Sequence, residues 1–315
     1  MEFEKFVKKH TLIKKGVILQ DKNTILKFVN FLKRKNFPLV FRGEKLVFAQ
    51  PHQPSFDISK FQEELFFIGC KGEHFWKKRT KSLKTNITQT TIKTIFGYYT
   101  KVFSNMEKIN SKDLKQHIES FYITNEESID FFLKPNNAGV LYNAIKKLTI
   151  KEKHTIVDYY MGILHTIGRY ANSDRHQIST STTLDTANYF SNNGVVIVSW
   201  CPPMVAHIGK DNIDLIETFL KSQELPTFQN YYVYPEQKET ILKYGILPHY
   251  ILGVIYNTTL YVNYNFHFDS NLEEIAITGC KIDQSDFEKI ISKSKYKRSF
   301  FYIDDIVFLE EDLYS

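Results

Sequence analysis

A change of grammar near residue 178 constrains this chain more than any other feature of its text. Over residues 61–67, 91–103, 111–121, 126–133, 138–148 and 155–170 apolar side chains recur three or four apart, the period of amphipathic helices. A polar stretch from Ala171 to Arg175 reads as a loop. Beyond it come short β-branched or aromatic runs, 178–181, 195–200, 231–234, 250–256 and 259–264, bounded by Gly, Pro and Asn, with short helical stretches at 183–190 and 213–220 between them. A run of helices followed by a run of strands predicts an α+β architecture and argues against a doubly wound parallel sheet.

Upstream, residues 21–35 place Ile25, Phe28, Val29 and Leu32 at helical spacing, with a basic end at Lys33, Arg34 and Lys35 that suits a helix C-terminus. Pro38 to Gly43 reads as a short buried strand that delivers a charged side chain, Arg42, at its end. The organisation this suggests is a helical extension over 1–35, a main domain over 36–265 with a helical portion at about 60–170, and a C-terminal α/β elaboration over 266–315. There, 283–294 reads as helix and 300–309 as strand.

Composition narrows the function classes. Hydrophobic residues make up 43% and aromatics 15% of 315 residues, with 13 Gly and 9 Pro, which excludes a disordered or low-complexity chain. The formal net charge of +6 permits an anionic partner without demanding one. Three cysteines, Cys70, Cys201 and Cys280, lie far apart without metal-ligand spacing, so the expectation is reduced thiols in a cytoplasmic chain with neither a disulfide frame nor a metal site. The N-terminal text has no apolar region like that of a signal peptide, and nothing approaches the ~18 apolar residues of a membrane span.

Three polar insertions interrupt the apolar text. Phe41-Arg42-Gly43-Glu44 ends the first strand. Ile178-Ser179-Thr180-Ser181-Thr182 precedes a helix carrying Ala187 and Phe190. Tyr234-Pro235-Glu236-Gln237-Lys238-Glu239 precedes Thr240-Ile241-Leu242. Taken singly, each has a plain structural explanation: a strand-end ion pair, a helix cap, and a solvated turn. In their order and rough spacing they resemble the R-S-E class of ADP-ribosyltransferases, which carries Arg-Gly, Ser-Thr-Ser and Gln/Glu-x-Glu on successive core strands. A weaker similarity, to bacterial domains named after a Phe-Arg-Gly signature, rests on Phe41-Arg42-Gly43 and on Leu164-His165-Thr166-Ile167-Gly168 followed by Ala187-Asn188-Tyr189-Phe190, but lacks that group's Arg-Leu-Leu-Asp.

The resemblance implies a split mixed β-sheet core with a helical layer, and NAD as substrate without a metal. It implies Glu239 as the catalytic carboxylate that stabilises a cationic ribose, oriented by Ser179, with Gln237 aligning the nucleophile from the same strand face. Cofactor contacts would come from Arg42, Gly43, Ser179, Thr180, Ser181 and Phe190, the small Gly43 letting backbone amides approach the nicotinamide carboxamide. A planar guanidinium suits a pyrophosphate or ribose contact through paired donors. Tyr234 would join in target recognition.

Residues 71–84 carry six Lys or Arg against one Glu, interleaved with Phe75 and Trp76. That composition suits phosphate contacts and base stacking, although a solvated helix or loop face is the plainer explanation. Gln237, which the resemblance associates with amide-like acceptors, together with Lys77, Lys78 and Arg79 as target contacts slightly favours a nucleic-acid base in RNA or DNA over a protein side chain as acceptor. Analogy with the family suggests a bacterial toxin, a toxin-antitoxin component with an inhibitory antitoxin, or an antiphage effector, with no membrane partner. Two alternatives stand beside the transferase. One is a non-catalytic nucleic-acid-binding module that uses the 71–84 run; the other is an NAD glycohydrolase on the same scaffold.

Overall fold

A computed structural model describes residues 2–50, 55–70, 86–108, 110, 112–167, 177–201, 207–208, 210–229, 237–243, 245–267, 271–283, 285–286 and 289–290. They divide into two compact units, the first drawn from 1–79, 178–207 and 237–314, the second mainly from 80–177 and 208–236.

The described strands are β1 (Leu12–Lys14), β2 (Val17–Ile18), β3 (Leu39–Glu44), β4 (Gln177–Ser181), β5 (Val195–Trp200), β6 (His207–Ile208), β7 (Glu239–Lys243), β8 (Ile251–Tyr256) and β9 (Thr259–Val262). They form one mixed sheet in the order β2-β1-β9-β8-β5-β3-β4-β7-β6. The pairings β1 with β2, β3 with β4 and β5, β5 with β8, and β8 with β9 are antiparallel, and β1 with β9 is parallel. An α+β architecture with a mostly antiparallel sheet is therefore what the chain adopts.

Local sequence explains the sheet's centre and its turns. Strand β5 reads Val-Val-Ile-Val-Ser-Trp and is buried at all six positions, as a strand covered on both faces requires. Its neighbours β3 and β8 supply Val40, Ile251 and Val254 to one apolar cluster, which includes Phe61, Leu65 and Phe66 of the helix Ile58–Ile68. That helix starts where Asp57 accepts the backbone N–H groups of Ser59 and Lys60, a side-chain cap for otherwise orphaned donors. Two-residue turns join β1 to β2 and β8 to β9. Lys15 (φ 49°) with Gly16 (φ 78°), and Asn257 (φ 46°) with Thr258 (φ 61°), take the left-handed conformations that match the twist of a hairpin.

The helix Asn23–Arg34 buries the four residues its periodicity singles out, Ile25, Phe28, Val29 and Leu32. Phe28 meets Trp200 and Phe266 edge to face, and the Trp200 indole N–H donates to the Ala276 carbonyl in the helix Leu272–Thr278. Residues 1–35 do more than the helical extension suggested by the sequence. They also contribute β1 and β2, strands of three and two residues that are too short for periodicity to register.

The second unit is helical among its described residues: Gln89–Ser104, Lys112–Thr124, Glu126–Leu133, Asn137–Ile145, Ile150–Ile167 and Lys210–Ser222. Its centre is aromatic. Phe132 stacks on Tyr99 at 4.3 Å between centroids and meets Phe96, Tyr160 and Phe228. The phenol groups find partners inside: Tyr99 donates to the Tyr160 carbonyl, Tyr160 to the Pro226 carbonyl, and Tyr159 accepts from the Phe228 N–H. Buried phenols of this kind must be satisfied, which is why Tyr is usable in a core at all. The 231–234 and 300–309 strand expectations, and most of the 283–294 helix, lie outside the described residues.

Candidate functional site

The site forms in the first unit where β3 and β4 part. The two strands pair at Phe41 and Ser181. Beyond that point β3 continues along β5 alone, with Arg42 opposite Ile197, Gly43 opposite Val196 and Glu44 opposite Val195. Alternation on β3 sends Phe41 and Gly43 to one face and Arg42 and Glu44 to the other.

Arg42 spans the opening. Its Nη1 donates to the Ser179 carbonyl of β4 at 2.7 Å, and its Nε donates to Glu44 Oε1 at 2.6 Å. The side chains of Arg42 and Glu44 are only 14% and 11% exposed, so the pair is largely desolvated. Burial works against the guanidinium's charge, but the Cys70 thiol group and the Glu44 carboxylate more than compensate and hold Arg42 firmly protonated. The Cys70 Sγ lies 3.9 Å from Glu44 Oε1 as a weak donor.

Glu239 begins β7 and joins the same group. Its carboxyl is held above the ordinary carboxylate range by burial, while a hydrogen bond from the Ser179 side chain and the positive charge of Arg42 pull the other way. Arg42, Ser179 and Glu239, drawn from positions 42, 179 and 239 of the chain, therefore meet in one half-buried cluster. A carboxylate so placed has one hydroxyl donor and one fixed cation in reach, an arrangement that can stabilise positive charge developing on a bound molecule.

Gly43 has a structural reason of its own. A Cβ there would stand 2.6 Å from the Ser191 backbone N and overlap the Ala187 carbonyl, because the helix Leu184–Ser191 packs directly on β3. The missing side chain makes room for a helix backbone. Thr180 and Ser181 are buried, and their hydroxyls donate to the Thr240 carbonyl (2.6 Å) and the Gln237 carbonyl (2.5 Å). They tie β4 to the chain around β7. Ser181 Oγ also accepts the Thr183 N–H where the helix Leu184–Ser191 begins.

The expectation that Gln237 and Glu239 share a strand face is overturned. Lys238 between them adopts φ 45°, and Gln237 precedes the strand, so the alternation of an extended chain does not relate the two side chains. The Lys238 carbonyl is instead used as acceptor by the Thr182 N–H. Phe190 is 45% exposed and Tyr189 81% exposed, their rings in edge contact on the helix that covers Gly43.

Lys77, Lys78, Arg79 and Tyr234 lie outside the described residues. Among the described residues no three His, Cys, Asp or Glu side chains gather as metal ligands, and no helix is long and apolar enough to cross a membrane. Sequence reasoning assigned no role to Glu44 or Cys70. Glu44 was recoverable, because residues two apart on a strand share a face. Cys70 was not: it arrives through an antiparallel bridge to Ile246, a contact no local pattern announces. No protein-family model matches the chain, and neither curated proteins nor solved structures provide a match.

Proposed function

We propose that this chain is an ADP-ribosyltransferase that cleaves NAD, built on the split-sheet fold its R-S-E resemblance implies. The observation that carries the reading is the Ser179 hydroxyl bonded to the Glu239 carboxyl beside the buried Arg42 guanidinium, at the mouth of the β3–β4 fork. Three short motifs could each be a cap, an ion pair or a turn. Independent structural uses give no reason for them to converge on one carboxylate.

In this reading Arg42 binds a phosphate or ribose oxygen of NAD with donors that Glu44 and Ser179 leave over. The bond between the nicotinamide nitrogen and the ribose carbon breaks, and nicotinamide leaves with the electron pair. Glu239, ionised, stabilises the oxocarbenium-like ribose, and Ser179 holds the carboxylate in place. A nucleophile on a macromolecular acceptor then attacks the same carbon and gives up its proton. Gln237 and the basic 71–84 run favour a nucleic-acid base as that acceptor, with a protein side chain next. Thr180 and Ser181 serve the site by binding β4 to β7, and Phe190 offers a ring to the nicotinamide end.

The test is direct. Purified protein with NAD labelled in the adenylate moiety should release nicotinamide and transfer label to one of RNA, DNA or cell protein supplied in parallel. Glu239→Gln should lower that rate by about 10²- to 10³-fold or more, the loss typical when one fixed electrostatic group is removed from a transition state. Free ADP-ribose formed equally fast without acceptor would make the chain a glycohydrolase. No nicotinamide release under any of these conditions would defeat the reading.

A further inference from the structure

We infer that Glu44 is a positioning residue for NAD binding, which it controls by clamping Arg42; the inference rests on the NAD-cleaving reading above. On the face of β3 that carries Arg42 and Glu44 the surroundings along β5 are apolar except for Ser199, opposite Val40, and the Ser199 hydroxyl is already used in a bond to the Tyr250 carbonyl. Val40 precedes them on that face, and the residues opposite Arg42 and Glu44 across β5 are Ile197 and Val195, both fully buried. The six-residue pairing of β3 with β5, together with this packing, already fixes the strand. A largely buried ion pair adds little to such a framework, because desolvation of both charges offsets most of their attraction. Two charges on this face therefore point to a use for the guanidinium itself.

The geometry says how Glu44 would serve that use. A guanidinium offers five N–H donors in one rigid plane. Glu44 Oε1 takes Nε at 2.6 Å and the Ser179 carbonyl takes one hydrogen of Nη1 at 2.7 Å, so two contacts at separate corners fix both the position and the tilt of the plane. These bonds take two of the five donors and the Cys70 side chain takes a further one, which leaves part of the guanidinium edge for a ligand. The Cys70 Sγ, 3.9 Å from the same Glu44 oxygen, helps seat the carboxylate. Glu44 thereby presents the remaining donors of Arg42 to an anion in a preset orientation, the arrangement that keeps affinity from being spent on ordering a flexible side chain. Without the clamp Arg42 keeps its charge and loses its aim.

The experiment is a double-mutant cycle read in NAD affinity. Glu44→Gln keeps size and a hydrogen-bond acceptor while removing the charge. Loss of a charge-assisted bond predicts a KM for NAD raised about tenfold or more, with kcat for nicotinamide release changed by less than about threefold. In an Arg42→Ala background the same substitution should change KM by less than about twofold, since a residue acting through Arg42 has nothing left to act on. Multiplied losses in the double variant, or an unchanged KM in Glu44→Gln, would overturn the inference. If Glu44→Gln does not fold, Glu44→Asp takes its place. That change keeps the charge but withdraws it from Nε, so the same rise in KM is expected and its absence is equally fatal. A wild-type protein that releases nicotinamide, with Glu239→Gln inactive, keeps the parent reading intact whichever way Glu44 falls. A wild-type protein that releases none defeats both.

Discussion

At the scale of single residues, Glu239 carries a tension that pH can expose. Its carboxyl is pushed up by burial, and only partly brought back by the Ser179 hydroxyl and the Arg42 charge. Because the proposed chemistry needs the ionised form, nicotinamide release should fall on acidification with a midpoint above the ordinary carboxyl value of 4.5. Ser179→Ala removes an interaction that favours ionisation, so it should move this acidic limb to higher pH as well as slow the reaction. A limb that stays put in Ser179→Ala would show that the hydroxyl does not act on Glu239. Stability runs in the opposite sense. A carboxyl whose folded pKa exceeds its unfolded pKa binds more protons when folded, so its contribution is complete below the unfolded value and is lost as pH rises through the folded one. Glu239→Gln should therefore melt no lower than wild type at neutral pH, with the two curves converging in acid, while nicotinamide release falls by about 10²- to 10³-fold or more.

At the scale of elements, the contact between β3 and the helix Leu184–Ser191 sets the geometry of the fork. Gly43 lets the helix backbone come within reach of the strand, and a methyl group there must displace either one. Gly43→Ala should lower stability by about 1–3 kcal/mol, the usual cost of overpacking, and reduce nicotinamide release as Arg42 moves with its strand. Gly97 is the control. It lies inside the helix Gln89–Ser104 with open space where a Cβ would stand, so Gly97→Ala should stabilise by about 0.5–1 kcal/mol through helix propensity. Thermal or urea unfolding of the two variants distinguishes the cases, and equal effects would mean the strand–helix contact is not the constraint described here.

The same elements show what the text of the chain could reveal. Long periodic segments such as Asn23–Arg34 and Glu126–Leu133 are legible because one face of each is buried, and burial writes its period into the residues. Strand β5 is legible for the related reason that both its faces are covered. The helix Leu46–Ala49 and the strands β1 and β2 are not legible, being shorter than any period needs. At the site, Arg42, Ser179 and Glu239 could be picked out by residue type and order, and these three do meet. Type and order did not foretell that Lys238 would turn left-handed, so that strand alternation no longer relates Gln237 to Glu239. A positive φ at a lysine is imposed by contacts such as the Thr182 N–H on the Lys238 carbonyl, and contacts of that range are absent from local sequence.

At the scale of the whole molecule, the first unit contains a buried histidine whose ring has no hydrogen-bond partner among the described residues. His249 is 3% exposed, and among the described residues neither ring nitrogen has a partner. It sits in the turn Pro248–Tyr250 that leads into β8. Its carbonyl accepts the Cys280 N–H at 2.7 Å, and Gly279, at φ 83°, leaves space for its side chain. Burial pushes the imidazole down to about 4 from an ordinary value of 6.5. The folded state thus holds it neutral, whereas the unfolded chain takes up a proton below about pH 6.5. The unfolded state then binds more protons, and stability must fall as pH drops from there towards about 4. The total at stake is about 3 kcal/mol, a large share of the 5–15 kcal/mol typical of a domain. Glu239 opposes this trend in acid, so the informative quantity is the difference between wild type and His249→Leu, in which the Glu239 contribution cancels. Urea unfolding followed by tryptophan fluorescence reports on this unit, because Trp200 is buried 5.7 Å from the Tyr250 ring. The wild type should lose about 3 kcal/mol more than His249→Leu between pH 7 and pH 4. Parallel losses in the two proteins would show that His249 finds a proton-compatible partner when charged.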